Sequence, residues 1–124
     1  MPDKVIDASA LAAIAFAEPG ADAVIDEIDG HRLHAPTLVV FELMNVAWKR
    51  SKKQPAATAL FLEALEVLEG IGLRFRGIDQ AEVVKLGLAT GLTAYDAAYL
   101  WLARVLGMPL VTLDKKLGAH TKHI

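Results

Sequence analysis

Four carboxylates in this chain stand where carboxylates are uncommon. Asp7 directly follows Val5 and Ile6, at the end of a short apolar run, and Asp114 follows Val111, Thr112 and Leu113 in the same way. Glu42 lies in TLVVFELMNVAW, where only Thr37, Glu42 and Asn45 are polar. Asp96 lies in LTAYDAAYLWLARV, among residues that look bound for a core. If the two apolar runs are parallel strands, Asp7 and Asp114 sit beyond their carboxyl ends, where open sheets place ligands and distant residues approach each other. A lone carboxylate in apolar surroundings is costly unless it is paired or bound to metal. Clustered carboxylate oxygens suit hard divalent cations, Mg²⁺ or Mn²⁺, rather than zinc. Such ions stabilise phosphoryl oxygens and activate water for in-line displacement.

Each acid also has a local structural explanation. Asp7 and Asp114 could cap the helices that follow them. Asp96 could be the third residue of a capping box begun by Thr93, where the helix dipole favours negative charge. Glu42 could be half exposed and paired with Lys49. Each acid is explained singly in this way, but the four together are awkward to explain by capping alone. Capping and metal binding are also compatible, because a helix N-terminus keeps a carboxylate ionised.

The elements that must position these residues follow from the pattern. KVID reads as a first strand and SALAAIAFA as a helix stopped by Pro19 and Gly20. ADAVIDEID reads as a second helix, and RLHAP holds a very short strand. Pro36 and Thr37 open a long helix to about Lys53, since proline suits the first helical position. Its apolar composition predicts that much of it is buried. Asn45, three residues after Glu42, shares its face. A further helix follows Gln54-Pro55 to about Glu69 and makes a helical hairpin. LRFRGI is the next strand, and DQAEVVKLGLATG a helix with a capping-box start from Asp79 to Glu82. The helix of Asp96 lies between Gly91 and Gly107, followed by a strand, PLVTL, and a last short helix, DKKLGAH. Strands alternating with helices predict an α/β fold around a short, mainly parallel sheet.

The chain has 124 residues and no cysteine, which suits a single domain over 1–124 with neither disulfides nor a thiolate metal site. Hydrophobic residues make up 54% of it, and the mean hydropathy is +0.37. That is apolar even for a globular domain and predicts exposed apolar surface for self-association or a partner. No run approaches a membrane span, and the start does not read as a signal peptide, so a cytoplasmic protein is the simple expectation. The net charge of −2 advertises no polyanion partner, so any nucleic-acid contact must be local.

The ordered set VIDAS, FELMN, LTAYDAAYL and LVTLDKKL resembles the PIN domain, and within it the VapC-type toxins of toxin–antitoxin pairs. The resemblance runs from Lys4 to about Leu117, and LTAYDAAYL is its most specific part. It implies a three-layer α/β/α sandwich with a four- or five-stranded sheet, and a metal-dependent endoribonuclease whose acids map onto Asp7, Glu42, Asp96 and Asp114. The first three match the family's most regular positions. Ser9 and Thr112 match its hydroxyl positions beside the first and last acids, where they would orient ligands or water, as Asn45 could beside Glu42. The resemblance also implies Mg²⁺ or Mn²⁺ as cofactor and products with a 5′-phosphate and a 3′-hydroxyl. It further implies a homodimer and a cognate antitoxin that lays an apolar helix along the first helices and the hairpin. DNA would be met only through that antitoxin. In one respect the chain departs from the pattern: only HTKHI remains after Ala119, so a fifth strand is very short, between Lys122 and Ile124, or missing.

Lys49, Arg50, Lys52 and Lys53 cluster at the hairpin tip, and Lys115 and Lys116 follow Asp114. These are the candidates for RNA phosphate contacts, although a solvated helix C-terminus favours cations anyway. The pairs His31 with His34 and His120 with His123 have a spacing that can hold zinc on a helix, but neither lies on one. The chief alternative function is a catalytically silent scaffold with the same fold. A receiver-like phospho-acceptor domain would need an aspartate ending the central strand, and LRFRGI offers Arg76 and Gly77 there. Nucleotide binding lacks a Gly-rich phosphate loop.

Overall fold

A computed structural model describes residues 3–121. The order is β1 (Asp3–Ile6), α1 (Ala8–Ala15), α2 (Ala21–Ile28), β2 (Arg32–Pro36) and α3 (Leu38–Lys53), then a 3₁₀ turn (Pro55–Ala57) and α4 (Thr58–Glu69). Next come β3 (Arg74–Arg76), α5 (Gln80–Thr90), α6 (Ala94–Leu106), β4 (Leu110–Val111) and α7 (Lys115–Gly118). The four strands form one sheet in the order β3-β2-β1-β4, and every pairing is parallel. Two strands thus lie on one side of β1 and one on the other, and the loops after β1 and β4 are neighbours at the carboxyl edge.

Strand alternation assigns the faces. Register pairs Val5 with His34 and His34 with Arg74, so these residues share one face with Pro36 and Arg76. Pro36 and Arg76 meet α5 and α6 across a pocket, while Phe75 on the other face lines a pocket with Leu11 of α1 and Val39 of α3. The sheet is therefore the middle of three layers. The core runs through all of them, with Val5, Ile6, Leu11, Val24, Val39, Leu100, Leu102, Val111 and Leu117 nearly inaccessible. Burying each such side chain contributes on the order of 1.5–3 kcal/mol.

Local signals place the helix that carries Asp96. The Thr93 hydroxyl accepts the Asp96 amide at 3.2 Å and starts α6, and Gly107, at φ 64°, ends it in the left-handed conformation that glycine tolerates best. Gly87 in α5 is needed for close approach, since a Cβ there would lie 3.1 Å from the Leu92 carbonyl oxygen. That approach seats the first turn of α6 against α5.

Three expectations need correction. Pro36 closes β2 instead of opening α3; Thr37 stands at the cap position and Leu38 begins the helix. The β2 strand is the longest of the four, at five residues, while PLVTL contributes only Leu110–Val111. The helix α3 is not mostly buried: Val39, Leu43 and Ala47 face the core, but Phe41, Met44 and Trp48 are more than half exposed. Apolar composition alone does not fix burial, because folded proteins also expose apolar side chains. The segment expected to hold any fifth strand, Lys122–Ile124, lies outside the described residues.

Candidate active site

Asp7 is the fixed point of the carboxyl edge. It follows the last residue of β1 and caps α1, and it is only 4% exposed. Its Oδ1 accepts the Ala10 amide at 3.0 Å and the Ser9 hydroxyl at 2.7 Å, while its Oδ2 accepts the Thr112 hydroxyl at 2.5 Å. Thr112 is within reach because Ile6 pairs with Val111 and the Asp7 amide donates to the Val111 carbonyl. The hydroxyls act twice: Ser9 Oγ also accepts the Leu113 amide at 2.9 Å, and Thr112 Oγ1 accepts the Asp114 amide at 3.0 Å. Ser9 and Thr112 thus hold the Asp7 carboxylate and tie the ends of β1 and β4 together. Burial pushes the Asp7 carboxyl above its ordinary range, the bonds from Thr112, Ala10 and Ser9 pull it back, and the charge of Asp114 pushes it up again.

Asp114 caps the short α7, accepting the Leu117 amide at 2.8 Å. Its side chain is otherwise exposed, next to Lys115 and Lys116. Asp96 differs. Thr93 supplies the cap, but among the described residues the return bond of a capping box, from the Thr93 amide to the Asp96 carboxylate, is not formed. That carboxylate is left for other work. Burial raises its pKa, as do the charges of Asp114 and Asp7, while Lys116 opposes them.

Glu42 is half-buried on α3, and its Oε1 accepts the hydroxyl of Tyr99 at 2.5 Å. Burial raises its pKa, the Tyr99 bond lowers it, and Asp96 and Asp7 push it up further. Tyr99 is 1% exposed, and burial followed by this bond holds its hydroxyl firmly protonated. The four acids therefore form one electrostatic unit: Asp7 feels Asp114, Asp96 feels Asp114 and Asp7, and Glu42 feels Asp96 and Asp7. Sequence reading overlooked Tyr99. Its signal was the three-residue spacing from Asp96, which puts both on one side of α6.

The other candidates are less central. Asn45 is exposed on α3. Lys49, Lys52 and Lys53 are exposed, and Lys52 lies 4.7 Å from the centre of the Trp48 ring. Arg50 turns back into the fold, where it pairs with Glu18 and stacks 5.2 Å from the centre of the Phe16 ring. An open trough of 540 Å³ joins Arg50 to Glu42 and Ser9 along α3, walled by Glu18, Pro19 and Leu113.

The donor set suits a hard cation. Every candidate ligand is a carboxylate oxygen, the acids repel one another, and Asp7 is held in place by hydroxyls that leave lone pairs on its oxygens. Among the described residues no three acidic or histidine side chains already surround one point as a finished site. Glu42, Asp96 and Asp114 are less enclosed than Asp7.

Comparison with known proteins agrees with this geometry. A family model described as the PIN domain matches residues 4–122. Ribonuclease VapC3 of Pyrobaculum aerophilum is 34% identical over 122 residues, covering 92% of this chain and 91% of the relative. Exonuclease VapC9 of the same organism is 33% identical over 129 residues, covering 97% and 86%. The crystal structure of PAE2754 from Pyrobaculum aerophilum superposes with a TM-score of 0.79 at 31% identity, over 98% of this chain and 86% of that one. With the match spanning nearly its whole length, and an all-parallel sheet that gathers acids at its carboxyl edge, this chain belongs to the PIN domain family.

Proposed function

We propose that this chain is a divalent-metal-dependent endoribonuclease and the toxin of a type II toxin–antitoxin pair, acting in the cytoplasm. The observation that carries the reading is the electrostatic unit of Asp7, Glu42, Asp96 and Asp114, whose mutual repulsion is relieved by a cation. Asp7, Asp96 and Asp114 would hold Mg²⁺ or Mn²⁺, with Glu42 a ligand directly or through water. Bound there, the ion would neutralise phosphate charge and supply an activated water. The chain's own residues do the rest. Ser9 and Thr112 fix the Asp7 carboxylate, Tyr99 fixes Glu42, and Glu42, whose carboxylate is made more basic by burial, is suited to take a proton from the attacking water. Lys115 and Lys116 follow Asp114 and are suited to meet phosphate, as are Lys49, Lys52 and Lys53, exposed at the end of α3. The names of the two relatives support nuclease chemistry but differ on its mode, ribonuclease in one and exonuclease in the other.

Exposed apolar surface supports the protein partners. Between α3, α4 and β3 lies a pocket of 340 Å³ lined by Leu11, Val39, Leu43, Met44, Leu65 and Leu68, suited to an antitoxin helix. On the opposite layer Leu88 and Val105 are exposed and suit a homodimer. Among the described residues no helix is long and apolar enough to cross a membrane.

The test is cleavage of linear and circularised structured RNAs with Mg²⁺, Mn²⁺ or chelator, by wild type and by an Asp96→Asn variant. Metal-dependent opening of the circles that vanishes in the variant is the expected result. Cutting of linear RNA alone would make the activity exonucleolytic, and equal cutting by the variant would remove Asp96 from the site.

A further inference from the structure

Beside the acids lies a second pocket that no part of the proposed chemistry uses. It measures 340 Å³ and opens at the carboxyl ends of β2 and β3, where the chain turns into α3 and α5. Pro36, Ile78, Val84 and Ala98 make its apolar walls, and Arg76, Gln80 and Tyr95 bring polar groups. We infer that this pocket receives a nucleobase of the RNA strand, one nucleotide away from the phosphate at the acids, with Tyr95 as its stacking platform and Arg76 reading its edge. This inference rests on the nuclease reading above.

The geometry of α6 links pocket and acids. Successive helical residues are rotated by about 100°. Ala94, Tyr95 and Ala98 line the pocket, while Asp96 and Tyr99, on the adjoining side, serve the acid cluster. Tyr95 and Asp96 are chain neighbours in the first turn, so a base on the one and a phosphate at the other are a nucleotide's reach apart. The other two walls have the same continuity: Thr37 and Leu38 begin the helix that carries Glu42, and Arg76 ends β3 at the sheet's carboxyl edge.

The chemistry points to a base and away from another protein surface. Tyr95 is 65% exposed, whereas Tyr99, one turn on, is 1% exposed. An exposed aromatic beside a phosphate site is a sequence-tolerant platform for unstacked bases. Arg76 is exposed and, among the described residues, makes no ion pair. Its planar fork suits the two acceptors on a guanine edge, and the Gln80 amide can donate and accept. No carboxylate lines the pocket, so nothing within it repels RNA.

The experiment is cleavage of a library of RNA hairpins with randomised loops by wild type, Tyr95→Ala, Tyr95→Phe and Arg76→Ala, with products sequenced at the cut. Exposure of Tyr95 makes its loss compatible with folding, which melting curves check. Wild type is expected to prefer a base at one position flanking the cut. Tyr95→Ala should lower kcat/KM about 5- to 150-fold and flatten that preference alone. Tyr95→Phe should keep it, and Arg76→Ala should change which base is preferred. A profile unchanged in Tyr95→Ala overturns the inference, as does an effect of that variant confined to its mass in solution. If wild type cuts nothing with Mg²⁺ or Mn²⁺, the nuclease reading fails. Retention of the same library by immobilised wild type and Tyr95→Ala then decides the pocket, equal retention going against it.

Discussion

Strand β1 is bounded by two aspartates in opposite surroundings. At its carboxyl end Asp7 is buried, which raises its pKa; the donors Thr112, Ala10 and Ser9 pull it back, and the charge of Asp114 adds to the rise. At its amino end Asp3 accepts His34 Nε2 at 2.9 Å, with Arg32 Nε 3.9 Å away. The His34 bond lowers the pKa of Asp3, burial opposes it, and Arg32 and Arg74 add to the lowering. Residue type is identical and the separation only four positions. One end collects opposite charges across three strands and is arranged for stability; the other collects like charges and is held under electrostatic tension. Perturbed acids of the second sort mark functional sites more often than those of the first.

Exchanging each aspartate for its neutral isostere is the most direct way to break this contrast. Asp7→Asn should lower RNA cleavage by about 10²–10⁴-fold, the range for removing a group central to the chemistry. Its metal-free stability should hold or rise, since a repelling buried charge is gone. Asp3→Asn should do the reverse, melting several degrees lower with cleavage near the wild-type rate. Parallel melting and cleavage assays of the two variants decide it, and an Asp7→Asn protein that cleaves normally would leave the carboxyl edge without its central ligand.

Metal addition sharpens the same contrast without reference to turnover. Binding to the folded state alone stabilises by about 2.7 kcal/mol at a hundred times Kd. Mn²⁺ or Mg²⁺ should therefore raise the melting temperature of wild type and of Asp3→Asn, and leave Asp7→Asn unmoved. An equal rise in all three would place the ion elsewhere.

Tyr99→Phe tests a smaller term. The Tyr99 hydroxyl favours the ionised form of Glu42, so its loss should drive the Glu42 pKa higher. The acid limb of the cleavage profile should then move to higher pH, with a loss of about tenfold or less below neutrality, comparable to one ordinary hydrogen bond. An unshifted limb would mean that Glu42 does not set it.

Much of this was legible in the sequence where the signal is local. Asp7 and Asp114 announce themselves by ending apolar runs, Thr93 by starting a helix, and Asp79 by capping against Glu82, whose amide lies 3.0 Å away. What was hidden is what depends on distant partners. The bond from Tyr99 to Glu42 spans 57 positions, and the spacing that puts Tyr99 on the side of Asp96 does not name Glu42 as its partner. Arg50 read as one of a run of cations, but Glu18 and Phe16 come from a loop that folds over α3. His34 was weighed with His31 by spacing, while its partner is Asp3, across a strand pair that only the register defines. The exposed side of α3 was misjudged for a related reason: hydropathy measures what a side chain prefers, and an apolar face left exposed has the same composition as one packed in the core.

The weakest effect, and the one that joins both ends of β1, is the pH dependence of stability without metal. Asp7, Glu42 and Asp96 have folded pKa values above their ordinary ones, so the folded protein takes up protons before the unfolded chain does. Stability should therefore rise as pH falls from neutrality through those raised values, reaching its full gain near the ordinary carboxylate range. Asp3 runs the other way: its contribution is complete above the ordinary value of 3.8 and is lost as pH falls through its lowered one. The melting temperature should thus climb on mild acidification, by about one to a few degrees, and then turn down. Solvent screening at the partly exposed Glu42 and Asp96 keeps the climb small. Asp7→Asn should flatten the climb and leave the downturn, whereas Asp3→Asn should keep the climb and soften the downturn. If Asp7→Asn instead steepens the climb, the carboxyl edge is not under the tension that its like charges imply.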